Sequence, residues 1–270
     1  MPAKAAMTEA PTDSSPARNA LPQRIQSMHR LPPGLASLVL TVALLAPVYS
    51  FATASTEHVF DLPLPGGAGD VGIQRNGHLR HDDNFVVRTR DLWMNRGFAV
   101  LIPDAIDGDN LRGMRSSPAY AALVGDLVQF AHQQSARPVF VLGTSQGSIA
   151  AMNGAAHLGA TQLAGVVLTE SVSVLGGSHE TVFQADPQEV RVPALVVANH
   201  DDQCPVAPPG NAPRIAATLS ASPSVQVIEV SGGIPRSSNA CGSLTPHGYY
   251  GIEPQVVDAI AGWMDQQLSR

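Results

Sequence analysis

The segment Gly143-Thr144-Ser145-Gln146-Gly147 closes the apolar run Pro138-Val139-Phe140-Val141-Leu142 and runs into the helix-forming Ser148-Ile149-Ala150-Ala151-Met152. A serine flanked at both second neighbours by glycine, in a strand, turn and helix context, has the form of an activated nucleophile. The glycines are a steric requirement, because in so tight a turn a Cβ two positions from the serine would collide with neighbouring backbone. The turn would hold the Ser145 hydroxyl exposed in a strained conformation. It would also leave the backbone N–H of Gln146, at a helix N-terminus, facing the point where an attacked carbonyl oxygen becomes negative. The same five residues would also suit a glycine-rich turn with a capping serine; the flanking strand and helix favour the nucleophile.

With this motif and its setting, the chain from about Val59 onward resembles an α/β-hydrolase. It is most similar to exported bacterial proteins of the dienelactone-hydrolase type that carry one cysteine after the acid and another before the histidine. The segments that match are Pro65-Gly66-Gly67-Ala68-Gly69-Asp70, Asn84 to Arg90, Gly143 to Gly147, Asp202-Gln203-Cys204 and Pro246-His247-Gly248-Tyr249. In that fold the chain order is serine, acid, histidine. Of nine histidines only His247, in the loop Leu244 to Tyr249, follows the best candidate acid, and the resemblance puts the general base there. The acid lies after the apolar run Ala194-Leu195-Val196-Val197, where Asp201 and Asp202 are adjacent. The usual offset from the strand and the Asp-x-Cys spacing of the resembled proteins select Asp202, with Asp201 as the alternative. The chemical need is one buried carboxylate that fixes the imidazole tautomer and stabilises the imidazolium. His200 beside the two aspartates lacks any metal-ligand spacing, so no metal is expected.

The resemblance also implies a second oxyanion donor in Pro65-Gly66-Gly67-Ala68-Gly69, and Gly67 is the residue chosen, although Pro65 stands where the more familiar form has histidine. Gly67, Gly69 and Gly72 match the spacing of a dinucleotide loop, but that run opens no helix. Lys4 is the only lysine, which excludes a lysine Schiff base or a P-loop lysine, and no dissociable cofactor is expected. Arg88 and Arg90 are read as ion-pair partners of Asp104 or Asp107 rather than as anchors for an anionic substrate.

These residues need a scaffold. Apolar runs at His58 to Leu64, Phe98 to Ile102, Pro138 to Leu142, Gly165 to Leu168, Ala194 to Val197 and Val225 to Val230 read as strands. Helical spacing recurs at Arg88 to Arg96, Ala119 to Gln134, Ser148 to Leu158, Ala212 to Leu219 and Val256 to Leu268. The alternation predicts an α/β fold with a mostly parallel sheet, helices on both faces and ligand sites at the carboxyl ends of the strands. Only Ser171 to Glu189 offers a short lid, so a small cap or none is expected. The activity expected is a serine hydrolase acting on a small-molecule ester or lactone. Peptides, thioesters, or a non-catalytic binding role on the same scaffold are the alternatives, since the residues do not choose the leaving group.

The 270 residues are 44% hydrophobic and only 14% charged, with a net charge of -6, so disorder and a nucleic-acid partner are both disfavoured. Leu35 to Tyr49 is almost purely apolar; about 15 helical residues rise only about 22 Å, short of a bilayer core of about 30 Å. With Ala52-Thr53-Ala54 after it, the run reads as a signal peptide over residues 1–54, with Met28 as the alternative start, and residues 55–270 as one domain. The membrane is then met only in transit, and the protein is periplasmic or secreted; an uncut membrane anchor is the alternative. The mature chain would carry 12 Lys+Arg against 20 Asp+Glu. Two cysteines in an exported chain pair, so Cys204 and Cys241 would staple the acid loop to the histidine loop. The expected mature N-terminus is Ser55. Sequencing the protein released by a secreting cell checks this, and a product that keeps the apolar run contradicts it.

Overall fold

The computed structural model describes residues 59–105 and 108–270; residues 1–54, read above as a signal peptide, lie outside the described residues. Six strands form one sheet: β1 (Val59–Leu64), β2 (Phe98–Val100), β3 (Val139–Thr144), β4 (Gly165–Thr169), β5 (Ala194–Asn199) and β6 (Val225–Val230). Their order is β2-β1-β3-β4-β5-β6, and every neighbouring pair is parallel. Strand order therefore reverses between β1 and β3, and the crevice at such a reversal is where parallel sheets place their ligands. Register aligns Leu64 with Gly143, Thr144 with Thr169, and Asn199 with Val230, so the loops that follow these residues all emerge at one edge.

The helices follow the expected alternation: α1 (Phe85–Arg88), α2 (Arg90–Asn95), α3 (Pro118–Gln134), α4 (Gln146–His157), α5 (Ala212–Thr218) and α6 (Glu253–Leu268). One face of the sheet, through Leu62, Leu64, Val141, Leu168 and Val196, packs with α3, α4 and α5 into one core. The other, through Phe140, Leu142, Val167 and Leu195, packs against Trp93 and the α6 residues Val257, Ile260 and Met264. Burial on both faces explains why β3, β4 and β5 are apolar at nearly every position rather than at alternate ones.

Two expectations need correction. The helix read over Arg88 to Arg96 is broken at Thr89, whose hydroxyl donates to the Phe85 carbonyl at 2.8 Å while its own backbone leaves the helical conformation. A local side-chain hydrogen bond of this kind competes with the helical ladder. Arg88 does not pair with Asp104. It bonds Glu253 at the start of α6 (2.9 Å) and donates to the carbonyls of Gly248 (2.8 Å) and Asp83. Asp104 instead accepts the backbone N–H groups of Val71, Gly72, Ile73 and Ala105. Arg90 donates to the Val87 carbonyl, and Asp107 lies outside the described residues.

On β1, Phe60, Leu62 and Leu64 face the first core, which leaves Asp61 on the opposite face, fully buried with neither carboxyl oxygen hydrogen-bonded. Burial pushes its pKa up to about 8. The unfolded chain loses this proton near the ordinary 3.8 and the folded chain keeps it to about 8, so the folded state binds more protons in between. Stability therefore falls as pH rises through that window. Asp61→Asn removes the ionisation and keeps the shape. The melting temperature of the variant relative to wild type should rise between pH 5 and pH 8; a pH-independent difference would contradict the argument.

Candidate active site

The turn between β3 and α4 is as tight as its glycines imply. A Cβ on Gly143 would lie 2.2 Å from the Gly147 carbonyl oxygen, and one on Gly147 would lie 2.0 Å from that of Leu64. Neither approach tolerates a side chain. Ser145 takes φ 53° and ψ -122° at the helix N-terminus, and its hydroxyl makes no capping bond. Ser148, inside the first turn, donates its hydroxyl to the Ser145 carbonyl at 2.6 Å. Ser145 Oγ is left 2.9 Å from His247 Nε2, and His247 Nδ1 lies 2.7 Å from Asp202 Oδ2. An ionised carboxylate only accepts, so the hydrogen sits on Nδ1 and Nε2 is free to accept from the serine.

Three structures hold the histidine and the acid in register. Asn199, the last residue of β5, donates from Nδ2 to the carbonyls of Gly232 (2.9 Å) and Pro246 (2.8 Å), tying the acid loop to the residue before His247. The disulfide Cys204–Cys241 joins the same two loops, with 4.6 Å between Cα atoms. On the other side Arg88 holds the Gly248 carbonyl. A Cβ on Gly248 would fall 1.9 Å from the Ser243 carbonyl oxygen, so only glycine lets the loop close here. Asp202 and His247 are 6% and 3% exposed.

The two candidate acids separate cleanly. Asp202 directs Oδ2 to His247 and accepts the Cys204 N–H on Oδ1 at 2.7 Å. Asp201 points elsewhere, to the Gly232 N–H at 2.7 Å and to exposed His200. The densest set of metal-ligating groups among the described residues is Glu170, Asp202 and His247, within 4.8 Å of one another. Both histidine nitrogens and both Asp202 oxygens already have hydrogen-bond partners, so the set reads as a hydrogen-bonded unit.

Gln146 opens α4, so its N–H is one of the first-turn donors that the helix itself does not use. In the loop after β1 Gly67 has φ 60°, and its neighbour Gly66 lies against the serine, where a Cβ would meet Thr144 O at 2.9 Å and Ser145 Cβ at 3.1 Å. The loop is braced from behind. Buried Arg115 donates to the Pro65 carbonyl at 3.3 Å, while Glu180 accepts the N–H groups of Gly113, Arg115 and Ser116. Gly66, Arg115 and Glu180 were not singled out by the sequence. Only the doublet of glycines hinted at the first, and nothing local marks the other two. A cavity of about 260 Å³ opens over Ser145 and His247, walled by Gly66, Asn84, Phe85 and Ser243. The segment after β4, with short 3-10 turns at Val182–Gln184 and Pro187–Glu189, stays a small cap.

No protein-family model and no curated protein matches the chain. Among solved structures it is similar to Est1E from Butyrivibrio proteoclasticus, with a TM-score of 0.54 and 13% identity over 80% of this chain and 91% of that one. Est1E with ferulic acid bound aligns with a TM-score of 0.51 and 11% identity, over 81% and 93%. MGS-MChE2, an α/β hydrolase enzyme from a sediment metagenome of the Mar Chica lagoon, Morocco, gives a TM-score of 0.50 and 16% identity, over 78% and 92%. At such identities the likeness establishes the fold.

The disulfide closes a sequence separation of 37 residues, for which the chain-entropy account gives about 4 kcal/mol of stabilisation. Replacing both Cys204 and Cys241 by serine should lower the unfolding free energy by roughly that amount. Denaturant melts of the two proteins check this, and an unchanged midpoint would contradict it.

Proposed function

We propose that this chain, which has the α/β-hydrolase fold, is a serine hydrolase that cleaves a small carboxylic ester or lactone through an acyl-enzyme. The observation that carries the reading is the continuous chain of contacts from Ser145 Oγ to His247 (2.9 Å) and from His247 to buried Asp202 (2.7 Å), on a turn that exposes the serine. Ser145 attacks the carbonyl carbon as His247 Nε2 takes its proton, and the Asp202 carboxylate stabilises the imidazolium. The N–H groups of Gln146 and Gly67 hold the developing oxyanion at the end of α4, where the helix dipole adds to them. His247 then gives the proton to the leaving alcohol. A water deprotonated by the same nitrogen attacks the acyl carbon and releases the acid.

The cavity favours a small substrate, because about 260 Å³ is below the span of about 300–1,000 Å³ common for ligand sites. Est1E, solved with ferulic acid bound, is a neighbour that takes a small molecule. The disulfide fits an oxidising compartment, in keeping with export as a periplasmic or secreted protein, and no described helix is long and apolar enough to cross a membrane.

A fluorophosphonate probe should label the protein stoichiometrically at Ser145 and leave Ser145→Ala unlabelled. Turnover of p-nitrophenyl esters should fall as the acyl chain lengthens beyond a few carbons. Equal labelling of the two proteins would defeat the hydrolase reading and favour a binding role.

A further inference from the structure

One buried carboxyl group beside the site has no part in the mechanism above. Glu170 follows β4 directly, is 1% exposed and takes φ 43°, a left-handed conformation that side chains rarely adopt. An oxygen of its carboxyl group, one of Asp202 and a ring nitrogen of His247 all lie within 4.8 Å of one another. Glu170 Oε1 accepts the Asn199 N–H at 2.9 Å, while Oε2 is buried without a hydrogen-bond partner. The groups that bear on it are Asp202, from the loop after β5, and the phenol of Tyr249, from the histidine loop.

Two carboxylates this close, buried and facing one neutral imidazole, do not both keep a negative charge. The surroundings decide which one does. Asp202 has a donor on each oxygen, the Cys204 N–H and His247 Nδ1, whereas Glu170 has one backbone N–H. Burial, followed by the effect of Asp202, holds the Glu170 proton well above the ordinary carboxyl range. Tyr249 is kept neutral by burial.

We infer that Glu170 and Asp202 act as one acid behind His247, holding one proton and one negative charge between them. The inference rests on reading Ser145, His247 and Asp202 as a triad. In the wild-type protein the charge rests on Asp202 and the proton on Glu170, which is therefore a positioning residue. When His247 takes the serine proton, the imidazolium faces a pair of net charge -1, and the Glu170 proton does not move. When Asp202 is made neutral, Glu170 releases its proton to water and its carboxylate becomes the charge that faces the imidazolium.

The test compares wild type, Glu170→Gln, Asp202→Asn and the double variant, each as the complete mature protein, with a p-nitrophenyl ester over pH 5 to 10. Asp202→Asn should retain residual turnover that rises with pH as Glu170 ionises, and the double variant should lose that rise. Glu170→Gln should cost at least tenfold more in the Asp202→Asn background than in the wild-type background. Equal costs in the two backgrounds, with the same pH profile for Asp202→Asn and the double variant, would overturn the inference, since a merely structural role gives that result.

Carboxyl-carbon NMR of glutamate-labelled protein supplies a readout that needs no turnover. Glu170 should be protonated at pH 7 in Ser145→Ala, and adding Asp202→Asn should move its titration to lower pH. An ionised Glu170 at pH 7, or a titration that stays in place, overturns the inference even if the Glu170→Gln proteins do not fold. Loss of Ser145-dependent turnover in wild type would instead remove the hydrolase reading and leave the NMR result to decide whether the two carboxyls share a charge.

Discussion

The turn after β3 leaves no room for a Cβ at either glycine. Gly147 comes so near the Leu64 carbonyl, and Gly143 so near Gly147, that α4 can pack on β1 and β3 only with bare backbone at both positions. That close packing forces Ser145 to a positive φ and carries its hydroxyl away from the helix cap it would otherwise make. A residue held in that region is strained by about 1–3 kcal/mol, which the burial of α4 between β1, β3 and β4 has to offset. Ten of the twelve α4 residues are buried, so the packing supplies an opposing term.

Around that fixed point the other groups arrive from loops that share one sheet edge. Parallel register makes this possible, because successive strands then end at the same side and their following residues converge. Convergence alone would leave the loops free to drift, and the polar ties prevent it. Asn199 bridges to the histidine loop, the disulfide bridges again, and Arg88 reaches across from α1 to Gly248 and Glu253. The Asp202–His247 contact is thus made between segments held on both sides, which keeps the imidazole oriented without help from a ligand.

Buried acids mark where this fold departs from an apolar core. Asp61 sits unpaired in the second core and keeps its proton near neutral pH, at a cost to stability that grows with pH. Glu180 is different. Four donors from the 113–116 segment meet its carboxyl group, and it joins the small cap to the segment that carries Arg115, which in turn holds the Pro65 carbonyl of the loop after β1. Glu170 lies between these cases, with one donor and an acidic neighbour.

The strand order was not written in the sequence, but the strands were: the runs at Gly165 to Leu168 and Ala194 to Val197 stand almost where they were read, because full burial on both faces leaves an unbroken apolar signature, and the half-exposed edge strand Val225 to Val230 was legible by its alternating valines and isoleucine. The turn at Ser145 was equally legible, since its sterics are local and glycine is the only residue that satisfies them. The choice between Asp201 and Asp202 was not local. Both follow the same strand, and only the loop bearing His247, 45 residues further on, decides which carboxylate is met. The same holds for Arg88, whose partner Glu253 is 165 residues away, and for Glu170, an ordinary acid in the sequence that becomes part of the site because β4 lies between β3 and β5. Backbone strain and hydrophobic burial act over a few residues and leave a readable pattern, whereas a charge finds its partner through space, and that distance is set by the fold alone.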